Sequence, residues 1–134
     1  LYEEAPFYGV TCHHMTKEID SGKIIKTKLF PLYHPFDSVD SLKLRSLIEL
    51  IGIFGEIMDL LAQDRPLPLS DKTWARKPRT RHDFEALRII TPEMPKAEIE
   101  KRIRAFAYPG FPGAAIIVNG IEFLAPVPEK EPWA

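Results

Sequence analysis

The sequence predicts an α/β fold: two β-rich runs near the N-terminus, one long helix covering them, then a shorter helix followed by a hairpin. β-Branched and aromatic residues mark the strands, and apolar residues at three- and four-residue steps mark the helices. Asn119-Gly120, set between two β-rich segments, is the strongest short hairpin signal in the chain.

Residues Phe7 to Met15 contain Tyr8, Val10 and Thr11 and read as a first strand. Asp20-Ser21-Gly22 is a turn, because Asp opens such turns and Gly accepts positive φ. Ile24 to Phe30 is a second strand, ended by Pro31 and lying beside the first. Ser38 or Asp40 can cap a helix running to about Gln63. Leu44, Leu47, Ile48, Ile51, Phe54, Met58 and Leu61 form its apolar stripe; Leu50, Ile53, Ile57 and Leu60 widen it, so the helix is expected to be buried on more than one side. Gly52 and Gly55 cost helix propensity, about 1 kcal/mol each against Ala, and fit close packing.

From Asp64 to Pro95 the prolines and polar residues read as an extended surface connection, with one short strand at Ala86 to Ile90. Pro95 opens a helix to about Ala107 with Ile99, Ile103 and Phe106 on one face, and Tyr108-Pro109-Gly110 stops it. Ala115 to Val118 and Ile121 to Leu124 are the hairpin strands. The expected organisation is 1–63, 64–94 as a proline-rich connection, and 95–134 as a helix and hairpin extension.

Composition limits the function classes. A net charge of −1 gives no global field for nucleic acid or an anionic membrane, so such a partner would need a local patch. No apolar run approaches the roughly 20 residues of a membrane span. The single Cys12 excludes an internal disulfide and suits a reducing, cytoplasmic setting. Leu1-Tyr2-Glu3-Glu4 carries no initiator Met and no signal-peptide pattern, which predicts a chain cut from something longer.

Gly9-Val10-Thr11-Cys12-His13-His14-Met15, followed by Ile19-Asp20-Ser21-Gly22-Lys23-Ile24-Ile25, resembles the folate-dependent formyltransferases. Ile103-Arg104-Ala105-Phe106 with Pro109-Gly110-Phe111-Pro112-Gly113-Ala114 resembles the stretch that opens the C-terminal part of the methionyl-tRNA and nucleotide-sugar members. The resemblance implies the distal strands of a mixed, mostly parallel formyltransferase-type sheet. It implies 10-formyltetrahydrofolate as formyl donor, an amine as acceptor, and no metal.

The family's catalytic set is an Asn, a His and an Asp. By resemblance Asp20 is that Asp, while the Asn-x-His-x-Ser segment does not occur here, Asn119 being the sole Asn. The missing N-terminal half of the catalytic domain is therefore an expected partner, and the chain alone is expected to be inactive. Formyl transfer passes through a tetrahedral oxyanion and requires the attacking amine to lose a proton; Asp20 would orient the absent His and relay that proton. The same loop implies Ile19, Ser21 and Gly22 beside the donor, and His13 supporting the active-site floor. The plain alternative for Asp20 is a turn-former bonded to nearby backbone. His13 and His14 point to opposite strand faces and so make a poor metal pair.

Arg76, Lys77, Arg79 and Arg81 form either a solvated surface run or a phosphate grip for a nucleotide-sugar or tRNA, with Trp74 stacking or packing nearby. A nucleotide-sugar or other small amine is the favoured acceptor over methionyl-tRNA, because the chain ends soon after the hairpin. The rival readings are a non-catalytic dimerisation or partner-binding module of formyltransferase descent, and a formyltetrahydrofolate hydrolase.

Overall fold

β1 (Phe7–His13) and β2 (Ile24–Pro31) pair antiparallel in the computed structural model, which describes residues 1–75 and 78–127. Their register runs from Phe7 opposite Pro31 to Cys12 opposite Lys26, and a bulge between Cys12 and His13 resets it so that His13 faces Ile24. Tyr8 sits opposite Phe30 with ring centroids 5.9 Å apart, edge to face. Gly9 permits the close pairing with β2: a Cβ there would lie 2.9 Å from the Lys28 carbonyl oxygen.

The helix predicted from Ser38 or Asp40 is α1 (Val39–Ala62). Ser38 begins it reciprocally: the Ser41 N–H donates to Ser38 Oγ (3.1 Å) and the Ser38 N–H donates to Ser41 Oγ (2.9 Å), a capping box with Ser at its third position. Buried Asp37 stabilises this start, accepting from Ser41 Oγ (2.9 Å) and from the Tyr33 N–H (2.7 Å).

The face of α1 that packs is not the expected stripe. Ile53 (2% exposed) and Ile57 form a core with Val10 and Ile25, and Cys12, Leu60 and Leu67 pack around it. Along the same helix face Arg45 lies over the Phe30 ring and donates to the Pro31 carbonyl, Glu49 pairs with Lys28 (2.7 Å), and Glu56 pairs with Lys26. Leu44, Leu47, Ile48, Ile51, Phe54, Met58 and Leu61 are all exposed, Ile51 by 61% and Phe54 by 64%. β2 presents Lys26 and Lys28, and β1 and β2 present Val10 and Ile25, to the helix side that bears both carboxylates and Ile53.

Of the described residues, 6–32, 43–75 and 78, which hold both strands and α1 from Lys43 onward, form one compact unit; 1–5, 33–42 and 79–127 form a second. The second contains α2 (Arg81–Arg88), β3 (Ile89–Ile90), α3 (Lys96–Phe106), β4 (Ala115–Val118) and β5 (Ile121–Leu124). β3 pairs parallel with β4, and β4 pairs antiparallel with β5. The class is mixed α/β, and β3–β4 is the parallel pairing among the described strands. Ile90, Phe106 and Ala114 make its core, with Leu87, Ile99 and Ile103 against them. Arg102 ties α3 to the preceding elements, donating to the Leu87 (2.9 Å) and Ile89 (2.8 Å) carbonyls while pairing with Glu98 (2.7 Å). The hairpin turn falls on Asn119 and Gly120, both at positive φ (50° and 78°).

The extended reading of 64–95 needs correction where α2 lies. Thr80 caps that helix: its hydroxyl accepts the Asp83 N–H (3.2 Å), and the Asp83 carboxylate accepts the Thr80 N–H (2.8 Å). The short strand survives as Ile89–Ile90 alone. No helix among the described residues is long and apolar enough to cross a membrane.

Two outcomes follow for stability. Ile53→Ala should destabilise the chain by about 2–4 kcal/mol in chemical denaturation, whereas Ile51→Ser should cost about 0.5 kcal/mol; equal costs would mean that the expected stripe, not the Ile53 face, is the buried one. The Thr80 N–H and hydroxyl hold the Asp83 carboxyl below its usual range. A depressed folded value stabilises above the unfolded pKa of roughly 4, and that contribution is lost as pH falls through the folded value. Thermal melts from pH 7 down to 3 should therefore show a shallower acid decline for Asp83→Asn than for the parent chain, alongside a lower melting temperature at pH 7.

Candidate functional site

The loop between β1 and β2 is tied at its base and across its middle. The His14 N–H donates to the Lys23 carbonyl (2.9 Å). Thr16 Oγ1 and Ser21 Oγ lie 2.5 Å apart, and both hydroxyls reach the Glu18 carbonyl, at 2.9 Å and 3.0 Å. Asp20 occupies the tip with φ of 50°, a left-handed conformation that Asp tolerates better than most residues. Gly22 is obligatory for steric reasons: a Cβ there would come within 1.6 Å of the His14 carbonyl oxygen. The Ile-Asp-x-Gly spacing thus has a local cause, one left-handed residue and one position without room for a side chain.

The Cys12–His13 bulge re-aims the His13 ring. Its Nδ1 lies 2.9 Å from the His14 carbonyl oxygen, and since a carbonyl only accepts, that nitrogen carries the proton. Nε2 is left facing Asp20 Oδ1 at 3.8 Å, beyond hydrogen-bond reach but within ion-pair distance when the ring is protonated. Half of the Asp20 side chain is exposed and a quarter of the His13 side chain. A solvent-accessible carboxylate beside an imidazole can hold and pass a proton, the operation that an attacking amine demands.

Residues 69–74 run beside this loop. The Trp74 Nε1–H donates to the Gly22 carbonyl (2.8 Å), and its ring meets His13 edge-on with centroids 4.9 Å apart. A cleft of 390 Å³ opens between the two segments, lined by Ser21, Lys23, Ser70, Lys72 and Trp74 among others. A larger cavity of 460 Å³ belongs to the second unit, lined by Phe36, Asp40, Glu100, Ile103 and Arg104, and contains none of the candidate catalytic, donor-binding or phosphate-binding residues.

Asp20, Ser21, Gly22 and His13 therefore come together, and Ile19, 79% exposed, shares their loop. The basic cluster has a different setting. Arg79 pairs with Glu3, and Arg81, 91% exposed at its side chain, makes a 3.7 Å contact with Glu85 one helical turn away. Arg76 and Lys77 lie outside the described residues. Among the described residues no group of three or more His, Cys, Asp and Glu stands close enough to hold a metal ion. Sequence reasoning left Trp74 between stacking and packing; no spacing rule connects position 74 to position 22, so the indole bond had no local signal.

No family model matches the chain, and no curated protein matches it. Solved structures do. A 4-N formyltransferase from Francisella tularensis aligns with a TM-score of 0.73 at 18% identity over 86% of this chain and 48% of its own. A candidate sugar N-formyltransferase from Mycobacterium tuberculosis gives 0.75 at 23% identity, covering 96% of this chain and 57% of its own. Methionyl-tRNA formyltransferase from Clostridium thermocellum gives 0.54 at 19% identity, covering 92% and 56%. The chain spans about half the length of each of these structures. On these alignments the chain has the fold of the formyltransferases it resembles.

Proposed function

We propose that this chain is the portion of a formyltransferase that carries the catalytic Asp20, and that it acts on 10-formyltetrahydrofolate as donor and an amine as acceptor. The supporting observation is the Asp20 tip itself: a half-exposed carboxylate on a sterically fixed turn, with the His13 imidazole 3.8 Å away, in a chain with the formyltransferase fold. Bound folate supplies the formyl group. Asp20 orients the catalytic His and accepts the proton that the amine releases, while Ile19, Ser21 and Gly22 border the donor through loop backbone.

The catalytic Asn and His come from a complementing polypeptide segment. The exposed apolar face of α1 is a surface suited to receive that segment, since an apolar patch of this extent marks an interaction site on a soluble protein. The favoured acceptor is a nucleotide-linked amino sugar or other small amine, in keeping with the candidate sugar N-formyltransferase among the similar structures. The same α1 face favours, as a second reading, a module that only binds a partner or dimerises.

The experiment is to mix the protein with a polypeptide carrying the Asn-x-His-x-Ser half of a formyltransferase and follow tetrahydrofolate release from 10-formyltetrahydrofolate. Release dependent on a nucleotide-linked amino sugar is expected, and Asp20→Asn should slow it by at least about 100-fold. Release that depends on methionyl-tRNA instead would move the acceptor, and release without any acceptor would make the chain a hydrolase. Complex formation without release, unchanged by Asp20→Asn, would leave the binding module.

A further inference from the structure

The Trp74 indole reaches the Asp20 loop from outside it. Gly22 follows Asp20 by two residues, and its carbonyl accepts the Trp74 Nε1–H at 2.8 Å. The His13 ring faces the Asp20 carboxylate at 3.8 Å, and the Trp74 ring meets that imidazole edge-on at 4.9 Å with an interplanar angle of 86°. One side chain thus contacts both the backbone on which the carboxylate rides and the imidazole beside it.

Trp74 is itself anchored. The Ser70 N–H donates to the Ile24 carbonyl (3.0 Å), the Lys72 N–H donates to Ser70 Oγ (3.1 Å), and Leu67 packs on the Val10, Ile25, Ile53 and Ile57 core. The segment from Leu67 to Trp74 is therefore a strap fastened to the core at one end and to the Asp20 loop at the other. A part-buried indole N–H takes an acceptor, and here its one donor goes to the Gly22 carbonyl of the Asp20 loop. Besides Trp74, the His13 ring meets the His14 carbonyl through Nδ1 and the Asp20 carboxylate, more loosely, through Nε2.

We propose that Trp74 is a positioning residue of the Asp20 site, clamping the Gly22 carbonyl and the His13 ring so that Nε2 of His13 faces the Asp20 carboxylate. Its consequence for catalysis rests on the formyl-transfer reading; the clamp itself does not.

The test uses the whole chain, whose size suits solution NMR. Trp74→Phe keeps an aromatic edge for His13 but loses the N–H, and Trp74→Ala loses both. In Trp74→Phe, amide exchange at residues 20–23 should rise about fivefold to tenfold, as removal of one hydrogen bond implies. The melting temperature should stay close to that of the parent chain. The His13 side-chain ¹⁵N signals should broaden or shift in both variants, with the larger change in Trp74→Ala. Unchanged exchange at 20–23 and unchanged His13 signals in Trp74→Phe would overturn the proposal, and would do so even if Trp74→Ala failed to fold. In the complemented enzyme the same Phe variant should lower kcat with little change in donor KM. An inactive parent with loosened loop amides in the variant would refute the formyl-transfer reading and keep the clamp.

Discussion

The contact between α1 and the β1–β2 ladder supports the rest of the hairpin unit. A two-stranded sheet is marginal in water, because its ladder leaves both edges unpaired and has no second layer to bury a face. Ile53 and Ile57 provide that layer for Val10 and Ile25. Glu49 and Glu56 on the same side meet Lys28 and Lys26. Partly exposed ion pairs contribute little energy, but these two, about two turns apart, match the helix rotation that buries Ile53. Burial of the isoleucines supplies the stabilisation, and the ion pairs flank the side of α1 that faces in.

That rotation has a consequence on the other side of α1. Turning Ile53 inward turns Leu47, Ile51, Phe54 and Met58 outward. The helix is amphipathic in an inverted sense, with a mixed charged and apolar side toward its own sheet and a purely apolar side away from it. An exposed apolar side of this extent marks an interaction surface.

The site depends on the same frame at one remove. The hairpin fixes where the loop of residues 14–23 begins and ends, Gly22 lets the chain pass against the His14 carbonyl, and the strap from Leu67 to Trp74 reaches from the core back to the loop. Asp20 is left partly exposed on a backbone with little freedom. That combination, an accessible group on a constrained support, is what proton transfer in a defined geometry requires.

Much of the local structure was legible in the residues. The Asn119-Gly120 turn, the Ile99, Ile103 and Phe106 face of α3 and the turn at Asp20 follow from φ preferences and side-chain periodicity over a few residues. Even α2 had its signal in Thr80 and Asp83, obscured by the prolines around it. The side of α1 that packs was not legible, because apolar periodicity reports that a side needs cover and not which neighbour provides it; the neighbours, Val10, Ile25, Lys26 and Lys28, are distant in sequence. Nor could spacing place Trp74 on the Gly22 carbonyl, a contact between positions separated by 52 residues that exists only once the strap folds back over the hairpin. The sequence by itself determined the elements and the residue at the loop tip. The tertiary structure decided which faces meet and what holds that residue in place, because both depend on contacts between segments far apart in the chain.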